Sequence, residues 1–187
     1  AELTADVGDD GGEVVCRAGA LCVQEIPTTV PQSPAADDSD QAAPRALAPP
    51  EDGVPVRFAL DDPNEPSFAS TAMEMRWLDD PRAPGPARVW MRLRHPLLPD
   101  EPLTPLARLA ATSDFGNGVS ATLPFERFLF INADLTIHLQ RQPRGEWIGL
   151  DARTLLAVGG TGLAESVLHD EHGPVGRAFQ ALVVQPR

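Results

Sequence analysis

Lysine and tyrosine are both absent: the 15 basic residues are all arginine, and no phenolic side chain occurs. Schiff-base chemistry on a lysine, and acid or nucleophilic chemistry on a tyrosine, are therefore excluded. Cysteine is nearly absent too. Cys16 and Cys22 fall on one predicted strand, EVVCRAGALCVQ, where their spacing puts them about 20 Å apart at strand rise. A disulfide needs Cα atoms within about 7 Å, so these two thiols do not pair with each other. Reduced thiols fit a cytoplasmic protein. No run approaches the roughly 18 apolar residues of a membrane span, and the opening residues do not read as a signal peptide. Positive charge is also scarce, with a formal net charge of -12 at pH 7. That argues against nucleic-acid or anionic-membrane binding through a general basic surface, while leaving room for a local arginine patch. The four histidines, His95, His138, His169 and His172, follow no metal-ligand spacing. No phosphate loop, dinucleotide-binding glycine motif or G-x-S-x-G elbow occurs.

What is present is enough apolar content, 42% of residues, to bury a core. The front, AELTADVGDDGGEVVCRAGALCVQ, reads as a β-hairpin. An isolated two-stranded hairpin is marginal in water, so further strands, N-terminal to Ala1 or on another chain, are expected to complete its sheet. Residues 27–66 open with a Pro/Ala/Asp-rich stretch that reads as a linker. Beyond it, STAMEMRW and ARVWMRLRH alternate apolar and polar residues, the pattern of half-buried antiparallel strands. Thr104 as N-cap and Pro105 at the first helical position start a helix. Leu106, Leu109, Ala110 and Ser113 are its expected buried stripe, with Asp114 on or beside it. Strands are then expected in INADLTIHLQR, EWIGLDARTLLA, TGLAESVLHD and GRAFQALVVQ, with GGTG as a hairpin turn. One helix against an antiparallel sheet is an α+β architecture.

Three polar residues do not suit a plain core. Asp114 sits at a helix C-terminus, where the macrodipole disfavours a carboxylate. Thr154 shares a strand face with Ile148, Leu150 and Ala152. Gln180 shares one with Ala178 and Leu182, and a buried amide without partners costs about 1–3 kcal/mol. Each also has a plain reading, as a solvated helix end, a strand-forming threonine and a strand-edge amide. Spacing alone does not bring the three together. His169-Asp170-Glu171-His172 reads as a solvated turn. Arg88, Arg92 and Arg94 read as a solvated strand face, with contact to a phosphorylated ligand as the other reading.

The stretch from SDFGNG through FINADLTIHLQR, GEWIGLDART and GTGLAESVLHDEHGPVGRAFQALVVQ resembles the C-terminal half of the TesB-like acyl-CoA thioesterases, the acyl-CoA thioesterase II type. The resemblance covers roughly residues 68 to 187. It lies in the order: a helix with Asp, Asn-x-Asp at a strand start, Glu-Trp, Thr, and Gln on the last strand. It implies an α+β hotdog fold, an antiparallel sheet wrapped around one central helix. It also implies a double-hotdog architecture with the first hotdog truncated: residues 1–26 as its last strands, 27–66 as linker and 67–187 as the second hotdog. By the same resemblance Asp114, Thr154 and Gln180 hold one water that hydrolyses an acyl-CoA thioester. The backbone following the Asp, over Phe115, Gly116, Asn117 and Gly118, contacts the substrate. No metal or other cofactor is implied. The glycines after Asp114 are expected to stop the helix early. Sheet edges left open by the truncated hotdog invite pairing, which points to a homodimer or larger assembly. A hotdog hydratase or dehydratase would pair an Asp with a His near the helix, and this helix carries no histidine. A non-catalytic acyl-CoA-binding module is the remaining alternative, since fold alone does not settle function.

Overall fold

The computed structural model describes residues 2–22, 46–56 and 67–187. Most of the expected linker, residues 27–45 and 57–66, lies outside them. The chain divides into two compact units, Ala1–Gln41 and Ala42–Arg187.

In the first unit, β1 (Glu2–Gly8) pairs antiparallel with β2 (Val14–Leu21), in a register that sets Glu2 opposite Leu21 and Val7 opposite Cys16. Asp9 closes the turn: its Oδ1 accepts from the N–H of Gly11 at 2.9 Å and of Glu13 at 2.8 Å. Every residue of both strands is exposed, and neither Cys16 nor Cys22 is in a disulfide.

The second unit is built on one antiparallel sheet. Its strands are β3 (Val54–Pro55), β4 (Met73–Trp77), β5 (Ala87–Leu93), β6 (Phe128–Asn132), β7 (Thr136–Leu139), β8 (Ile148–Ala157), β9 (Thr161–Asp170) and β10 (Gly173–Pro186). They are ordered β3-β4-β5-β8-β9-β10-β6, and β7 also pairs with β10. Val54 and Pro55, inside the expected linker, thus form the edge strand beside Trp77 and Arg76. The alternation read in the sequence sets the faces. Met73, Met75 and Trp77 are buried with Val89, Met91 and Leu93, and pack with Ile148, Leu150, Leu168 and the helical Leu109. The β8–β9 hairpin turns through Gly159 and Gly160 at φ 104° and 82°, a left-handed backbone that glycine adopts without strain.

Among the described residues three α-helical pieces accompany the sheet, α1 (Phe68–Thr71), α2 (Pro105–Ser113) and α3 (Gly116–Val119), together with a 3-10 turn at Pro50–Asp52. Among the described residues no helix is long and apolar enough to cross a membrane. Thr104 caps α2, its Oγ1 accepting from Ala107 N–H at 3.1 Å, with Pro105 in the first turn. The buried face differs from the expected stripe. Leu109, Thr112 and Ser113 face the sheet, Leu106 is 47% exposed and Ala110 is exposed. Ser113 is buried as expected, its Oγ donating to Leu109 O at 2.8 Å, but the packing of α2 on β5 and β8 brings in Thr112 and turns Leu106 and Ala110 outward, which periodicity along the helix does not foretell. The stripe is therefore rotated, and the Asp114 side chain is exposed.

The glycines also act differently from expectation. α2 does end at Ser113, but Asp114 (φ −72°, ψ −13°) and Phe115 (φ −84°, ψ −2°) stay near helical dihedrals, and α3 starts at Gly116. Neither Gly116 nor Gly118 has positive φ. INADLTIHLQR is two strands rather than one. β6 and β7 follow each other along the edge of β10, and the break between them is filled by Asp134. Its Oδ1 accepts from Ala181 N–H at 2.6 Å, taking the place of a ladder carbonyl.

Candidate active site

The register of three strands places the candidate side chains. Thr154 on β8 and Gln180 on β10 both lie opposite Ala164 on β9. One row in from them, Ala152 and Ala178 both lie opposite Ser166. Adjacent strands are about 4.8 Å apart, so Thr154 and Gln180 stand about 10 Å apart across Ala164. The alanines keep this floor low, and α3 lies over it. Gly116 is required for that approach: a Cβ there would come within 2.8 Å of both Gln180 Oε1 and Ser166 Oγ.

Gln180 is 2% exposed, and its amide is fixed at both ends. Oε1 accepts from Asn117 N–H at 3.0 Å. Nε2 donates to the Asp114 backbone carbonyl at 3.0 Å and to Asp114 Oδ1 at 3.3 Å. The opposite amide orientation would set Oε1 against two acceptors, so the network determines it. Asn132, at the end of β6, donates from Nδ2 to the same Oδ1 at 2.7 Å. Oδ2 of Asp114 bonds to no described residue. Asp114 and Gln180 thus meet directly, and Asn132 is a third member. The sequence signal for it was the Asn-x-Asp at the strand start, whose Asp134 breaks the edge strand where Asn132 leaves it.

Thr154 is buried and is not bonded to either of the other two. Its Oγ1 lies 2.8 Å from Ser120 Oγ, and Ser120 donates to Gly116 O at 2.8 Å. Thr154 is thereby tied to α3, the same turn that carries Gln180 through Asn117. Ser120 and Ser166 were not singled out from the sequence; both are small polar residues that become informative only once α3 is laid on the sheet. Of the expected substrate contacts, Gly116 and Asn117 are buried, Gly118 is half-buried, and the Phe115 ring stacks on Phe68 with centroids 6.4 Å apart.

The other polar candidates are structural. His169 and Asp170 are fully or almost fully buried, contrary to a solvated turn. Burial would raise the Asp170 carboxyl pKa, but bonds from Arg141 at 2.6 Å to each oxygen, and from the N–H groups of His172 and Arg144, bring it below the ordinary value. Burial lowers His169 to about 4. Arg88 pairs with Asp79 at 2.6 Å, and Arg92 pairs with Glu74 and Glu146 at 2.6 and 3.1 Å. Both therefore belong to a charged face with its own counterions. Among the described residues no group of three or more His, Cys, Asp or Glu is placed to hold a metal ion.

A curled antiparallel sheet against a helix broken at an exposed aspartate defines an α+β domain of the hotdog class. A family model described as the acyl-CoA thioesterase C-terminal domain matches residues 40–184, and the chain belongs to that family. Solved structures agree on the fold. The acyl-CoA thioesterase II TesB2 from Mycobacterium marinum is 22% identical with a TM-score of 0.59, over 100% of this chain and 73% of that one. A protein described as a putative thioesterase, from Novosphingobium aromaticivorans, is 19% identical with a TM-score of 0.64, over 97% and 66%. A hot dog fold protein of unknown function from Alicyclobacillus acidocaldarius is 18% identical with a TM-score of 0.60, over 100% and 67%. Comparison with curated proteins gives no match.

Proposed function

We propose that this protein hydrolyses acyl-CoA thioesters to a free acid and CoA, using a water activated by Asp114. The observation that carries this reading is the state of the Asp114 carboxylate. It is exposed, one oxygen is held by Asn132 and Gln180, and the other bonds to no described residue. A carboxylate oriented on one oxygen and open on the other suits a general base. The water gives a proton to Oδ2 while its oxygen bonds to the thioester carbon. The carbonyl electron pair moves onto oxygen, then returns as the C–S bond breaks. The proton on Asp114 passes to the departing CoA sulfur, and the base is restored.

In this reading Thr154 contacts the water, and Gln180 orients the carboxylate. The developing oxyanion needs hydrogen-bond donors. The first N–H groups of a helical turn have no intrahelical partner, and that of Asn117 is engaged by Gln180. The oxyanion role therefore goes to Gly116 and Gly118, with Phe115 beside the acyl chain. The fully exposed strands of the first unit support a homodimer or larger assembly, and a strictly monomeric mass in light scattering would overturn that reading.

The activity is tested by free-thiol release from a panel of short- to long-chain acyl-CoAs. Asp114→Asn keeps the shape and removes the base, and is expected to lose about 10²–10⁴-fold in rate. A folded wild-type protein that releases no thiol from any member of the panel would overturn the reading.

A further inference from the structure

The buried hydroxyl of Ser120 makes two contacts of 2.8 Å, one to Gly116 O and one to Thr154 Oγ1. A serine has one proton to donate, and a carbonyl oxygen only accepts. The Ser120 proton therefore lies on Gly116 O. If it pointed at Thr154 instead, two oxygens with only lone pairs would face each other at 2.8 Å in a buried site. Thr154 is then the donor in the Ser120–Thr154 bond, and its only proton is committed away from the active site.

We propose that Ser120 is a positioning residue that turns Thr154 into a pure hydrogen-bond acceptor toward the reacting water. The inference rests on the thioesterase reading above, in which Thr154 contacts that water. A water that donates one proton to Thr154 and the other to Asp114 Oδ2 keeps its lone pairs for the thioester carbon. A Thr154 free to rotate would donate to the water and occupy one of those lone pairs. Gln180 follows the same logic: its Nε2 donates to two Asp114 oxygens. The polar residues around the water are arranged to receive its protons, and Ser120 enforces this at the Thr154 end.

The test is a two-by-two cycle of Ser120→Ala and Thr154→Val in the full chain, measuring kcat and KM for thiol release on the best acyl-CoA of the panel. Ser120→Ala is expected to lower kcat on the order of 10-fold or more with KM within about twofold. The double variant is expected to be no slower than Thr154→Val alone, because Ser120 acts only through the Thr154 hydroxyl. Ser120→Cys, close in volume but a weak acceptor, covers the case in which the alanine variant does not fold. It is expected to show the same kcat loss with a Tm near that of wild type. Wild-type kcat in a folded Ser120 variant, or effects that multiply in the double variant, would overturn the proposal. If those results came with active wild type and inactive Asp114→Asn, the thioesterase reading would stand and only the role of Ser120 would fall. Absence of turnover in folded wild type would overturn both.

Discussion

Gln180 holds Asp114 at two points, with Nε2 3.0 Å from the backbone carbonyl and 3.3 Å from carboxylate Oδ1. The backbone bond satisfies a carbonyl left open where α2 ends, and the side-chain bond fixes the carboxylate. One buried amide on the last strand therefore both closes the helix and aims its aspartate.

Gln180→Glu tests that double role. A carboxylate in place of the amide would set oxygen against both Asp114 oxygens in a buried position. The variant is expected to lose about 1–3 kcal/mol of stability in urea unfolding, from unpaired buried groups. Thiol release should fall by about 10²-fold or more, as expected when a catalytic base is misplaced. Unchanged turnover would remove Gln180 from the site.

Asn132 contributes a single bond to Asp114, and it does so from a half-buried strand end. Asn132→Ala is expected to lower kcat by about 10-fold, in line with a bond to a charged group worth about 1.5–3 kcal/mol. KM should stay near the wild-type value, because Asn132 orients the base and does not touch the substrate. A rise in KM without loss of kcat would point to a substrate contact instead.

Gly116→Ala separates helix propensity from packing. Alanine is favoured over glycine in a helix by about 1 kcal/mol. Here its Cβ would come within 2.8 Å of Gln180 Oε1 and Ser166 Oγ, and relief requires α3 to lift or Gln180 to move. Overpacking of this kind costs about 1–3 kcal/mol. The expected outcome is a net drop in Tm together with a loss of thiol release. A stabilised, fully active variant would show that the close approach is not needed.

His169 makes stability depend on pH in a definite direction. Its ring is buried beside the Asp170–Arg141 pair, and burial lowers its pKa from 6.5 to about 4. The unfolded chain therefore binds a proton between about pH 6.5 and 4 that the folded chain refuses. Stability from this group is full above pH 6.5, falls as the pH drops toward 4, and then levels off. The urea midpoint of wild type should decline across that window, and His169→Phe should decline less. Parallel curves would show that the imidazole does not titrate with unfolding.

Much of the site was legible as residues and little of it as geometry. Thr154 and Gln180 stood out because a polar group sat where the pattern asked for an apolar one, and Asp114 because a carboxylate sat at the negative end of a helix. Asn132 was visible only as part of a motif. Ser120, Ser166 and the alanine floor carried no signal, because small residues on a strand or helix look alike until something is packed on them. His169 and Asp170 were misjudged for a related reason. A run of four polar residues beside a turn gives no hint that Arg141, from another strand end, covers it.

The alternation of Met73, Met75 and Trp77, the Thr104-Pro105 start and the Gly159-Gly160 turn are local rules, read within one or two turns of chain. They determined the strands, the helix start and the hairpin without reference to the rest of the molecule. The rotation of α2, the division of INADLTIHLQR at Asp134 and the joining of Asp114 to Gln180 were decided by tertiary structure alone. Each depends on a hydrogen bond or a close approach between segments far apart in sequence, and periodicity along one segment carries no information about the surface it will meet.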